Sequence, residues 1–191
     1  MLKLKRKHQR LLISILVIAL ALLIGFTQEN PELKQTLVSN QPGLYEVEKV
    51  SDGDTIIVDM NGTMESVRMI GVDTPETHHP SKPVQCFGRA ATAFTTELLG
   101  DKKVRLEADP LNSNRDRYQR LLRYVYLPDG TLVNLEIVAQ GYGFAYTAFP
   151  LSKSEEFELA EDNARLNELG LWADCDVNRY GNGRIETGSE Q

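Results

Sequence analysis

Asn61-Gly62 separates two runs of strand-forming residues: Thr55 to Met60, with β-branched Ile56, Ile57 and Val58, and Thr63 to Val72. An Asn-Gly pair supplies both positive-φ residues of a tight hairpin turn, so the two runs are predicted to pair as antiparallel strands. A preceding run, Leu44 to Val50, carries Tyr45, Val47 and Val50 and enters the first of them through the turn signal Ser51-Asp52-Gly53-Asp54. The prediction is a three-stranded meander, with Asp54 at its first turn and Arg68 in its third strand.

The rest of the chain adds two strands and three helices. Gly88 to Leu99 reads as a helix stopped by Gly100, and Lys102 to Ala108 alternates as a fourth strand. After a polar loop, Arg120 to Leu127 reads as the fifth strand. Leu132 to Gln140 is a short helix ended by Gly141. Ser152 to Leu169 is the last helix, its start marked by an S-x-x-E capping box at Ser152 to Glu155. Five short strands with helices between and after them predict a mainly β, α+β domain, a five-stranded closed barrel of OB type. The expected organisation is a targeting segment over 1–26, a linker over 27–43, the folded domain over 44–174, and a tail over 175–191 that is mobile after Cys175.

The targeting reading rests on charge. The first ten residues carry five Lys and Arg and no acid, and Leu11 to Phe26 is then almost wholly apolar. A basic flank before such a run fits a secretory signal or a retained membrane anchor, and either places the domain outside the cytoplasm. No polar face suggests a buried core helix instead. In an oxidising compartment Cys86 and Cys175 form a natural pair, the alternative being two buried free thiols. The net charge of −6 argues against indiscriminate electrostatic binding to nucleic acid. A nucleic-acid enzyme is still allowed, because a bound divalent cation and a few arginines can offset the carboxylates locally.

The chemistry concentrates in Arg68-Met69-Ile70-Gly71-Val72-Asp73-Thr74-Pro75-Glu76. An arginine beside apolar strand residues is costly unless it holds an anion. Asp73 and Glu76, on either side of a Thr-Pro turn, can converge on a hard cation or an attacking water. The meander brings Asp54 to them, giving with the Thr74 carbonyl an oxygen-rich site suited to Ca²⁺. Arg120 can complete a two-guanidinium clamp on a phosphoryl group. Tyr118 and Tyr146 either pack or stack against substrate. His78 and His79, on a Pro-rich loop, read as solvent-exposed rather than as ligands.

From Leu44 to about Trp172 the chain resembles the staphylococcal (micrococcal) nuclease, or thermonuclease-like, family. The resemblance is carried by V-x-D-G-D-T at Val50 to Thr55, R-M-I-G-V-D-T-P-E at Arg68 to Glu76, and D-R-Y-x-R at Asp116 to Arg120. Val133 to Gly141 and the G-L-W at Gly170 to Trp172 also match. The resemblance implies a Ca²⁺-dependent nuclease acting on DNA and RNA, with single-stranded or locally unpaired substrate preferred. It implies P–O5′ cleavage that leaves 3′-phosphate ends. Asp54, Asp73 and Thr74 would hold Ca²⁺, and Glu76 would activate water. Arg68 and Arg120 would grip the phosphate, and Arg117, Tyr118 and Tyr146 would contact the nucleotide. The protein is expected as a secreted or membrane-tethered monomer, touching the membrane through residues 1–26 if these are retained. Two departures stand out: Gln119 replaces the family's usual glycine, and the connection Tyr142 to Phe149 is one residue short. A catalytically silent OB module that binds nucleic acid or protein is the competing reading; silent relatives typically lose the arginines or acids that are present here.

Overall fold

A computed structural model describes residues 43–77, 83–180 and 185–190, together with Ile13, Leu16 and Val17. The chain divides into two compact units at Pro42. The apolar run, the linker, and the His78 and His79 readings fall almost entirely outside the described residues.

Strand β1 (Leu44–Asp52) pairs antiparallel with β2 (Thr55–Asp59), and β2 with β3 (Met64–Met69). This is the predicted meander. Asn61 and Gly62 take φ values of 57° and 91°, the two positive angles that the tight turn needs. The barrel closes through β6 (Leu121–Tyr126), parallel to β3, and β5 (Val104–Glu107), which pairs with both β6 and β1. Alternate side chains point inward. Ile56, Val58, Val67, Met69, Val104 and Val125 are fully buried, and each contributes about 1.5–3 kcal/mol of hydrophobic stabilisation. Helices α1 (Gly88–Leu99), α2 (Val133–Ala139) and α3 (Ser154–Leu166) add Leu99, Ile137 and Phe157 to the same core.

Several details differ from the sequence reading. The third strand does not run unbroken to Val72. It ends at Met69, and Gly71 (φ 80°) starts a separate strand, β4 (Gly71–Asp73). A Cβ on Gly71 would sit 2.6 Å from the Phe157 ring, so only glycine allows helix α3 this close. Strand β4 pairs with β7 (Phe144–Tyr146), which lies inside the Tyr142 to Phe149 connection. Buried Asn134 holds this break: its amide donates to the carbonyls of Ile70 (2.8 Å) and Arg123 (3.0 Å) and accepts from Val125 N–H (2.8 Å).

The capping box does not form. Helix α3 begins at Ser154, and the Ser152 hydroxyl and N–H instead donate to buried Asp109 at 2.7 and 2.8 Å. A fourth, one-turn helix, α4 (Leu171–Asp174), joins the three expected among the described residues. The region after Cys175, expected as a mobile tail, carries an antiparallel pair, β8 (Val177–Arg179) with β9 (Ile185–Thr187). Its anchor is a bond between Cys86 and Cys175, whose Cα atoms lie 6.0 Å apart across 89 residues of sequence. Closing a loop of that length removes about 4–5 kcal/mol of unfolded-chain entropy.

Candidate active site

The site assembles where the β1–β2 turn meets the chain leaving β4. Gly53 permits that contact: a Cβ there would lie 2.8 Å from Thr74 Oγ1. Asp54, only 7% exposed, accepts from Thr74 N–H (3.0 Å) and Thr74 Oγ1 (3.2 Å) on one oxygen and from Thr55 Oγ1 (2.9 Å) on the other. Strand register places Arg68 opposite Thr55. Its Nη1 donates to the carbonyls of Met69 (2.6 Å) and Val72 (2.7 Å). Nη2 reaches Asp73 Oδ1 at 2.7 Å and Asp54 Oδ2 at 3.2 Å. The arginine that looked too costly for a strand is thus lodged between two carboxylates. Burial works against its charge, but Asp54 and Asp73 outweigh that and raise its pKa above the usual value.

Two further acids crowd the same place. Burial first, then the charges of Asp54, Glu76 and Asp52, push Asp73 up to about 6, with Arg68 acting against the rise. Asp52 is also pushed to about 6, by burial, by its hydrogen bond to Glu76 and by Asp54. The Asp52 carboxylate accepts from the hydroxyls of Thr77 (3.0 Å) and Thr92 (3.2 Å). Glu76 is fixed through its main chain, its N–H donating to Gln85 Oε1 at 2.6 Å.

Arg120 approaches from the loop before β6. Asp116 organises that loop, accepting from the N–H groups of Tyr118 and Arg120 (both 2.9 Å) and from Arg120 Nε (2.7 Å). Gln119 takes φ 68°, the left-handed region that favours glycine. Its carbonyl accepts from Arg115 Nη1 (2.7 Å), and Arg115 is locked in turn by two bonds to Glu65 (2.8 and 2.9 Å). Arg120 still faces the site: its Nη1 lies 3.4 Å from Thr55 Oγ1, which itself bonds Asp54. The Tyr118 ring, 64% exposed, has the Arg117 and Arg120 guanidinium carbons 4.7 and 5.5 Å from its centre.

A cavity of about 760 Å³ opens beside these groups, lined among others by Arg68, Arg120, Tyr118 and Tyr146. Tyr146 on β7 is paired with Gly71, and Phe149 meets its ring edge-on at 6.0 Å. Every site residue expected from sequence therefore falls on this cavity or on the acid cluster behind it. Asp52, Thr55, Gln85, Asp116 and Phe149 were missed as contributors. Asp52 was visible in D-G-D but read as turn chemistry. Thr55 and Asp116 lie within the D-G-D-T and D-R-Y-x-R runs and act on residues beside them, whereas the role of Gln85 depends on a contact between separate segments.

The donor set fits a hard cation. Asp54, Asp73 and the Thr74 carbonyl are all oxygen, the preference of Ca²⁺ rather than of zinc. Asp73 and the neighbouring Asp52, raised to about 6 by burial and by the acids around them, mark a place where further positive charge is favourable. Among the described residues no three His, Cys, Asp or Glu converge into a full cage. A cation here would therefore complete its coordination with water and substrate oxygens.

Comparison with known proteins agrees with the motifs. The family described as staphylococcal nuclease homologue matches residues 66–174. The chain is 39% identical over 164 residues to the thermonuclease of Staphylococcus hyicus, spanning 85% of this chain and 95% of that protein. It is 39% identical over 160 residues to the thermonuclease of Staphylococcus intermedius, spanning 83% and 94%. Endonuclease YncB of Bacillus subtilis is 39% identical over 138 residues, spanning 70% of this chain and 64% of that one.

Proposed function

The chain belongs to the staphylococcal nuclease homologue family, and from that premise we propose that it is a Ca²⁺-dependent endonuclease that hydrolyses DNA and RNA outside the cytoplasm. The nuclease activity follows from membership among thermonucleases and endonucleases. The observation that carries the finer reading is Arg68 lodged between Asp54 and Asp73 at the edge of a cavity that also receives Arg120.

Asp54, Asp73 and the Thr74 carbonyl would hold the ion, which when bound supplies a Lewis acid and a template for the phosphate. Arg68 Nη1 is held by two carbonyls and Nη2 by Asp73 and Asp54, so a phosphate oxygen entering the cavity would share the Nη2 edge with those carboxylates as the ion takes them up. Arg120 grips the phosphate from the other side, aligned by Asp116. Two guanidiniums placed there favour the more highly charged five-coordinate transition state over the ground state. Glu76 takes the proton of the attacking water, and Asp52, hydrogen-bonded to it, orients its carboxylate. Bond breaking at P–O5′ leaves a 3′-phosphate and a 5′-hydroxyl. Arg117 holds a neighbouring phosphate, while the exposed faces of Tyr118 and Tyr146 stack on bases. That arrangement favours unpaired strands, whose bases are free to stack.

The basic flank and apolar run at residues 1–26 support delivery outside the cytoplasm, as a secreted or tethered monomer. The test incubates the full chain with single-stranded DNA or RNA, in Ca²⁺ or in a calcium chelator. The expected result is cleavage only with Ca²⁺ and products ending in 3′-phosphate. No cleavage, or undiminished cleavage in chelator, overturns the proposal.

A further inference from the structure

The main chain of Glu76 is gripped on both sides by one residue. Its N–H donates to Gln85 Oε1 (2.6 Å), and its carbonyl accepts from Gln85 N–H (3.0 Å). Gln85 belongs to no barrel strand or helix; it precedes α1. The C-terminal segment fixes it in place. Gln85 pairs with Ser189 as an isolated antiparallel bridge. On either side, Glu190 N–H donates to the Val84 carbonyl (2.9 Å) and Cys86 N–H to the Gly188 carbonyl (2.7 Å). Thr187 Oγ1 donates to the Cys86 carbonyl (2.8 Å), and Arg89 pairs with Glu190 at 3.1 Å. The Cys86–Cys175 bond ties the same segment to the start of the tail, where Gly188 N–H reaches the Asp176 carbonyl (3.0 Å).

A short extended segment gains a fixed position only from a ladder partner or a cross-link, and residues 84–86 have both. A general base must be held to within a fraction of an ångström of its working position. We infer that Gln85 is a positioning residue for Glu76, and that residues 185–190 with the Cys86–Cys175 bond form the brace that holds Gln85 in register. The inference rests on the reading of Glu76 as the group that handles the attacking water. The tail is then a working part of the enzyme rather than an appendage.

The test uses the full chain and a single-stranded oligonucleotide in saturating Ca²⁺. Gln85→Ala, and separately deletion of residues 185–191, should each lower kcat by about 10- to 100-fold, the order of loss that follows a small misplacement of a reacting group. In Gln85→Ala, KM and the Ca²⁺ half-saturation should stay within about threefold, because Gln85 lines neither the cavity nor the candidate metal ligands. Gln85→Glu, which keeps an acceptor at the same reach, should restore most of kcat. In a Glu76→Gln background, Gln85→Ala should add no further loss. Hydrogen exchange at the Glu76 amide should quicken in Gln85→Ala and in the deletion, a readout independent of catalysis. Wild-type kcat and wild-type protection in Gln85→Ala would overturn the inference, as would an equal loss in the Glu76→Gln background. If the wild-type chain cleaves nothing, the nuclease reading fails by itself, and amide exchange still judges the brace.

Discussion

Replacing Gln119 with glycine should stabilise the protein and leave its chemistry intact. Gln119 sits at φ 68° in the turn that carries Arg120. A residue with a Cβ in that region costs about 1–2 kcal/mol. Glycine removes the cost but loses about 0.5–1 kcal/mol through the greater freedom of its unfolded chain. The net gain is about 0.5–1 kcal/mol, or a rise of about 2–3 °C in Tm for a domain of this size. The turn keeps its other ties, because Asp116 and the Arg115 contact act through main-chain atoms of residues 118–120. Arg120 should stay in place and kcat should hold. Thermal scans with and without Ca²⁺ measure the shift. Arg115→Ala should cost more stability in the wild-type background than in the Q119G background, since its bond to the Gln119 carbonyl matters most when the turn is strained. A fall in Tm for Gln119→Gly, or an identical cost of Arg115→Ala in both backgrounds, would refute the reasoning.

Other consequences follow from the same contacts. Asp109 accepts from Tyr124, Ser152 and Leu111, and despite burial these bonds hold it down at about 2. Its stabilising contribution is present above its unfolded pKa and fades as pH falls towards 2; Asp109→Ala should cost about 3 kcal/mol in urea unfolding, the order expected when a buried charged hub is lost. Asn134→Ala removes the side-chain partner of the Ile70 carbonyl and the Val125 N–H, and one of two donors to the Arg123 carbonyl, which keeps the Ile70 N–H; it should cost about 2–3 kcal/mol by the same assay. Asp52 and Asp73 are raised to about 6, so the folded metal-free protein binds more protons than the unfolded chain between roughly pH 4 and 6. Stability without metal should therefore fall as pH rises through 6. Saturating Ca²⁺ should cancel that fall, and calorimetry near pH 6 should show protons released on binding.

The barrel was legible because its signals are local. Alternation in Ile56 to Val58 and Val67 to Met69, with Asn61-Gly62 between them, sets the meander without help from elsewhere. The acids and Arg68 were legible for a similar reason: the meander sets Arg68 opposite Thr55, next to Asp54, and Asp73 follows Arg68 by five residues. Failures arose where a distant partner decided the outcome. Ser152 caps nothing because Asp109, forty-three residues earlier, takes its hydroxyl. Gly71 breaks a strand because Phe157 packs against it. The tail pairs because Cys175 is bonded to Cys86, and its contacts to Val84, Gln85 and Cys86 have no trace in local pattern. Gln119 stands out in the sequence as a departure from the resembled family, whereas Arg115 and Glu65 hold its turn through contacts between residues 50 apart.

The most direct test of the central claim is the turnover of Arg68→Ala at saturating Ca²⁺ and substrate, measured beside its Ca²⁺ affinity and its Tm. If Arg68 grips the phosphate in the transition state, kcat should fall by roughly 10³-fold, the scale of losing a preorganised charged donor. Ca²⁺ should still bind, because Asp54 and Asp73 remain and have lost a competing cation. A kcat within tenfold of wild type, in a folded protein that binds Ca²⁺ normally, would show that Arg68 serves only to balance the charge of Asp54 and Asp73.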